Sequence, residues 1–150
     1  MRAILVLGLA ISFSALACPD LSGQYQSCLS DLTTSESNSH DVVWSQTEQA
    51  NGTMFELTET STTTGQRETK RFLADGLTYT GAPSTEGGPA YQSVTTSCNA
   101  TTLNVKALIF IGPEQVGMVN VAIRKRGDSV VKIVSGDFYD QAFGETITCN

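Results

Sequence analysis

The chain has 150 residues, enough for one domain that buries about two thirds of the surface its unfolded form exposes, with no room for a second. Its 9 Lys and Arg against 15 Asp and Glu give a formal net charge of −6, which argues against a nucleic-acid partner and against electrostatic docking on anionic membranes. Charged residues make up only 16% of the chain, and Ser, Thr, Gly, Asn and Gln carry much of the polarity, as in β-rich secreted proteins.

The first 17 residues read as a secretory signal, with a positive start at Arg2, an apolar run from Ala3 to Leu16, and small residues at minus three and minus one, Ala15 and Ala17. That run is shorter than the roughly 20 residues a spanning helix needs, and no later stretch comes closer, so no transmembrane segment is expected. Cleavage after Ala17 leaves residues 18–150 as a single domain in a periplasmic or secreted setting. Ala15-Leu16-Ala17-Cys18 also forms a permissive lipobox in which Cys18 would carry a lipid anchor, although most such boxes have Leu where this chain has Ala15.

Four cysteines follow the leader: Cys18, Cys28, Cys98 and Cys149. An even number in an exported chain implies two disulfides, with three possible connectivities. Nearness in sequence favours Cys18 with Cys28, leaving Cys98 with Cys149 to tie the last strand to the middle of the domain. In the chain-entropy account the second closure is worth roughly 4 kcal/mol and the first about 2.7 kcal/mol. A zinc site is the alternative, but there is no C-x-x-C, and His40, the only histidine, has no metal-ligand spacing to a cysteine.

Turn signals recur about every ten residues, and the runs between them are rich in Val, Ile, Thr, Phe and Tyr, the rhythm of an antiparallel meander. Val42 to Gln49 and Thr53 to Thr60 flank Asn51-Gly52, which predicts a type I′ hairpin, with Phe55 and Leu57 sharing a face. Arg67 to Leu73 and Leu77 to Thr80 flank Asp75-Gly76, which predicts a second. Tyr91 to Cys98 then turns at Asn99-Ala100 into Thr102 to Phe110, with Leu103, Val105, Ala107 and Ile109 on one face. Met118 to Lys125 places Val119, Val121 and Ile123 inward and turns at Arg126-Gly127-Asp128 into Ser129 to Ser135. Phe138 to Phe143 reads as one turn of helix, and Thr146 to Cys149 closes the chain as a strand. The basic cluster Arg124-Lys125-Arg126 reads as protection of a sheet edge. Leu29 to His40 and Gly81 to Ala90 read as surface loops. The expected fold is all-β, an antiparallel meander of about 8–10 strands closing into a disulfide-stapled barrel.

At Gly23-Gln24-Tyr25 the chain resembles the opening G-x-W signature of the lipocalin and wider calycin barrels, with Tyr in place of Trp and without a T-D-Y signature between later strands. The whole opening from Cys18 to Tyr25 also resembles that of small exported proteins of Gram-negative bacteria. The lipocalin resemblance implies that Gly23 and Tyr25 close the bottom of a barrel and that a small apolar ligand is held inside. Trp44, Phe55, Phe72, Tyr79 and Tyr91 are the expected cavity lining, together with Phe110, and Arg67, Arg71 or Arg124 would fix a carboxylate head group.

No catalytic or cofactor motif emerges. His40-Asp41 are neighbours on an extended segment and point to opposite faces, no G-x-S-x-G elbow is present, and bridged cysteines offer no thiolate. Glu56, Glu59, Glu68, Asp137 and Asp140 would supply a carboxylate pair only if two of them faced one cleft, and Asp128, Asp137 and Asp140 lack the EF-hand spacing with its closing Glu. The expected function is therefore non-enzymatic binding of a small ligand, without cofactor or metal; the alternative is an exported protein-binding or inhibitor module acting through its loops.

Overall fold

The computed structural model describes residues 17–32, 40–81 and 90–150. The signal-peptide reading of residues 1–16 lies outside them, as do the greater parts of both expected loops, at 33–39 and 82–89. Eleven strands run in chain order: β1 (Gly23–Tyr25), β2 (Leu29–Ser30), β3 (His40–Gln49), β4 (Gly52–Ser61), β5 (Arg67–Ala74), β6 (Thr78–Gly81), β7 (Ala90–Asn99), β8 (Thr102–Ile111), β9 (Glu114–Arg126), β10 (Ser129–Phe138) and β11 (Gln141–Cys149). All strand pairs are antiparallel.

The strands form two open sheets, β1-β3-β4-β5 and β2-β11-β10-β9-β8-β7-β6. The expected closed barrel is therefore corrected. Read around the molecule, the order is that of an up-and-down barrel cut at two seams, and each seam has a local cause. At Ser27, whose φ is +51°, the first extended segment breaks, sending β1 into one sheet and β2 into the other. At Asp75-Gly76, where Gly76 takes φ +74°, the chain turns a corner between sheets, so β6 pairs with β7 and the expected second hairpin does not form. Short backbone bridges tack both seams: Gly76 N donates to Thr96 O at 3.0 Å, and Gln26 and Asn150 exchange bonds at 2.5 and 3.1 Å.

The disulfides lie along these seams and join Cys18 to Cys98 and Cys28 to Cys149, which overturns the pairing favoured by sequence nearness. The Gln26–Asn150 exchange and the Leu29↔Thr148 pairing flank Cys28 and bring it beside Cys149, at a Cα separation of 4.0 Å. A thioether-linked lipid would need the same Cys18 sulfur that bonds Cys98. No helix among the described residues is long and apolar enough to cross a membrane.

Strand alternation puts Trp44, Phe55 and Leu57 on the inner face of the smaller sheet and Leu103, Ile123, Val130 and Cys149 on that of the larger, and together they form one core. Trp44 meets Phe55 edge-on at 6.5 Å and stacks on Phe72 at 6.3 Å. Tyr25 is buried, and its hydroxyl donates to the Leu21 carbonyl at 3.1 Å while the ring folds back over Gly23. A Cβ on Gly23 would stand 3.0 Å from that hydroxyl, and the residue's φ of +155° also favours glycine. The Gly-x-Tyr pair thus anchors the entry to β1 in the smaller sheet and closes no barrel.

The turns redistribute positive φ relative to expectation. The β3–β4 hairpin forms, but Ala50 and Asn51 keep negative φ and Gly52 takes +149°, so the turn is not type I′. The primed turn lies instead at Tyr139-Asp140, with φ +49° and +61°, joining Phe138 to Gln141 where a helical turn was expected. Phe143 and Phe138 pack over Gly136 and Gly117, whose missing side chains make room for the rings. β9 is paired on both sides as far as Ile123, and Arg124-Lys125-Arg126 runs beyond the end of β8, paired with β10 alone; Lys125 Nζ donates to the Ser22 carbonyl at 3.3 Å.

Candidate functional site

Between the two sheets, beside the seam tacked by the Cys28–Cys149 bridge, lies a cavity of about 260 Å³. Register builds its walls. In the smaller sheet, His40, Val42 and Trp44 are alternate residues of β3, and the pairs Trp44↔Leu57 and Val42↔Glu59 bring the β4 side chains beside them. In the larger sheet, Val130↔Cys149 and Lys132↔Ile147 supply β10 and β11, with Glu145 two residues along and Ser30 opposite Ile147. The floor is apolar, formed by Val42, Trp44, Leu57, Val130, Ile147 and the disulfide; the rim is polar, formed by Ser30, His40, Glu59, Lys132 and Glu145.

The rim charges are committed unequally. Glu59 Oε2 accepts from Lys70 Nζ at 2.8 Å, and Glu68 stands 3.4 Å from the same ammonium. Burial pulls the Lys70 pKa down, but the hydrogen bonds and charges of Glu59 and Glu68 together outweigh it and hold the ammonium above the usual lysine range. Glu145 accepts from Ser30 Oγ at 2.5 Å. Lys132, half-buried at the inner face, makes no ion pair among the described residues, so its ammonium is the rim charge available to an incoming anion.

A second, more open space of about 560 Å³ follows the seam between β5 and β6, lined by Phe72, Leu73, Tyr79, Gln92 and Val94 among others. At its edge the Tyr79 hydroxyl donates to the Asp75 carboxylate. That bond, with the Leu77 amide, holds the Asp75 carboxyl below the usual range, and it raises the Tyr79 hydroxyl.

The five aromatics expected to line one cavity are dispersed. Trp44 lines the cavity between the sheets, Phe72 and Tyr79 line the open seam, and Phe55 is wholly buried in the core and lines neither. Tyr91 stacks on Phe110 at 4.9 Å, and both point to the other face of the larger sheet because they pair with each other one position out of phase with Val94 and Ala107. Of the arginines expected to hold a head group, Arg71 borders the open seam but pairs with Glu56 at 2.7 Å, and Arg67 and Arg124 are exposed and line neither space.

Sequence reasoning missed Lys132, Glu145 and Ser30. For Lys132 a signal existed: one lysine interrupts the apolar run Val130-Val131-Lys132-Ile133-Val134. Glu145 and Ser30 carried none: Glu145 falls between the expected helical turn at Phe138 to Phe143 and the expected strand from Thr146, and Ser30 lies in a segment read as a loop. All four cysteines are bridged, so none offers a thiolate as nucleophile or metal ligand. No family model matches the chain, and neither a curated protein nor a solved structure matches it.

Proposed function

We propose that this is an exported, non-enzymatic binding protein that holds a small amphiphilic acid between its two sheets, the apolar part against Trp44 and the carboxylate at Lys132. The observation that carries this reading is an uncommitted ammonium at the rim of a cavity with an apolar floor. The role is the one the lipocalin resemblance implies, transferred from a closed barrel to the space between two open sheets. Two disulfides agree with an oxidising compartment. Drug-sized ligands occupy about 300–1,000 Å³. A cavity of about 260 Å³ suits something smaller, such as a medium-chain carboxylic acid. The alternative of loop-borne protein binding rests on segments outside the described residues.

Trp44 is the only tryptophan and lines the cavity while 4% exposed, so its emission reports occupancy. Titration with octanoate should give a saturable change, and octanol, with the same chain but no charge, a weaker one. A hydrogen bond to a charged group contributes about 1.5–3 kcal/mol, so Lys132→Met should weaken octanoate binding by roughly tenfold or more and leave octanol nearly unchanged. No saturable change with either compound, or equal loss for both in the variant, refutes the proposal.

A further inference from the structure

We propose that the free edge of β11, from Gln141 to Glu145, pairs antiparallel with the same stretch of a second copy of this chain, joining two seven-stranded sheets about a two-fold axis at Phe143. Alternate residues of β11 direct N–H and C=O away from β10, and their partners show which ones. Thr146 O accepts from Asp31 N at 2.9 Å, Thr146 N donates to Asp31 Oδ1 at 2.8 Å, and Asn150 exchanges bonds with Gln26. The even-numbered residues therefore face the edge. β2 covers only Ile147 and Thr148, so the N–H and C=O of Ala142 and Gly144 meet no other strand among the described residues.

Those four groups are self-complementary. With Phe143 opposite its counterpart, Ala142 of each copy stands opposite Gly144 of the other, and four hydrogen bonds satisfy every free group on both edges. The Phe143 pair then occupies a non-hydrogen-bonded site, where Cα atoms approach to about 4.5 Å and side chains are closest. Phe143 is 44% exposed and Phe138, on the same face, 41%, so pairing covers apolar surface that the single copy leaves in water. Gln141, a donor, comes opposite Glu145 of the second copy, an acceptor. The window is bounded by the Tyr139-Asp140 turn, which bends back toward β10, and by Asp31 on Thr146.

Of the other edges, β5 carries Arg67, Glu68, Lys70 and Arg71 within its eight residues, and β6, β1 and β2 span only four, three and two residues. The part of β3 that runs past β1, from Ser45 to Gln49, carries Glu48, and there the Leu21 N–H donates to the Gln46 side chain at 3.0 Å. Residues 141–144 carry no charge and no proline. Five residues a side is far below the 20–30 of a standard interface, so the dimer is weak and concentration-dependent. With a formal charge of −6 on each copy, added salt strengthens it.

The test is sedimentation of the disulfide-bonded protein from about 1 µM to about 1 mM, a range that covers weak association. The average mass should rise toward twice that of the monomer, with the Ala142 and Gly144 amides gaining hydrogen-exchange protection as concentration rises. Ala142→Pro removes an edge N–H that β10 does not use, and Phe143→Lys places a charge at the axis; each should abolish the rise while far-ultraviolet circular dichroism stays that of the parent. A protein that stays monomeric throughout, or a dimer that survives both substitutions, overturns the proposal.

Discussion

Replacing either pair of bridged cysteines by alanine should cost nearly the same stability, because both bridges close long loops. Cys18–Cys98 spans 80 residues and Cys28–Cys149 spans 121. In the chain-entropy account these closures are worth about 4.5 and about 4.9 kcal/mol, a difference of only about 0.4 kcal/mol. Had each cysteine bonded its sequence neighbour, the two losses would differ by more than 1 kcal/mol. The consequence is large in absolute terms, since small domains have only about 5–15 kcal/mol of net stability. Urea unfolding followed by Trp44 emission reads it directly. With a slope of about 2 kcal/mol per molar, each double variant should lose roughly 2 M in midpoint. The reasoning fails if the Cys18→Ala/Cys98→Ala protein stays within about 1 kcal/mol of the parent while Cys28→Ala/Cys149→Ala loses the full amount. A non-reducing peptide map joining Cys18 to Cys28 would refute it outright.

Gly136→Ala should destabilise by at least about 1–3 kcal/mol, because its Cβ would stand 2.2 Å from the Met118 carbonyl and 2.8 Å from the Phe143 ring. Gly81→Ala, with nothing within 4 Å, should be neutral or slightly stabilising in the same thermal unfolding assay. Tyr25→Phe should cost about 0.5–1.5 kcal/mol in urea unfolding by removing the hydrogen bond to Leu21, and Gly23→Ala should cost more, since it displaces the whole ring. Lys70 has a raised folded-state pKa, so its contribution is complete below the ordinary lysine value of 10.5 and is lost as pH rises through the folded value. Stability measured from pH 9.5 upward, in steps of about half a unit, should therefore fall less steeply in Lys70→Met than in the parent; parallel curves would contradict the assigned role of Glu59 and Glu68.

Local features were legible in the order of residues alone. Period-two alternation of apolar and polar side chains determined the strands and most of their inner faces, as in Leu103 to Ile109 and Val119 to Ile123, because strand geometry sends successive side chains to opposite sides. Even cysteine number and the absence of a helical period determined an all-β, bridged domain. Which strands meet at the seams depends instead on long-range packing. Asp75-Gly76 suits either a type I′ hairpin, with positive φ at both residues, or the sheet-to-sheet corner it forms, with positive φ at Gly76 alone, and the choice depends on whether β6 finds β5 or β7. Cysteine pairing depends on that outcome too, since a disulfide requires Cα atoms within a few ångströms, and spatial neighbours such as Cys28 and Cys149 are brought together by β11 and β2 rather than by the chain between them. The cavity is the furthest removed from sequence. Lys132, Glu145 and Trp44 lie on strands of two different sheets, and the space they share exists only because those sheets face each other.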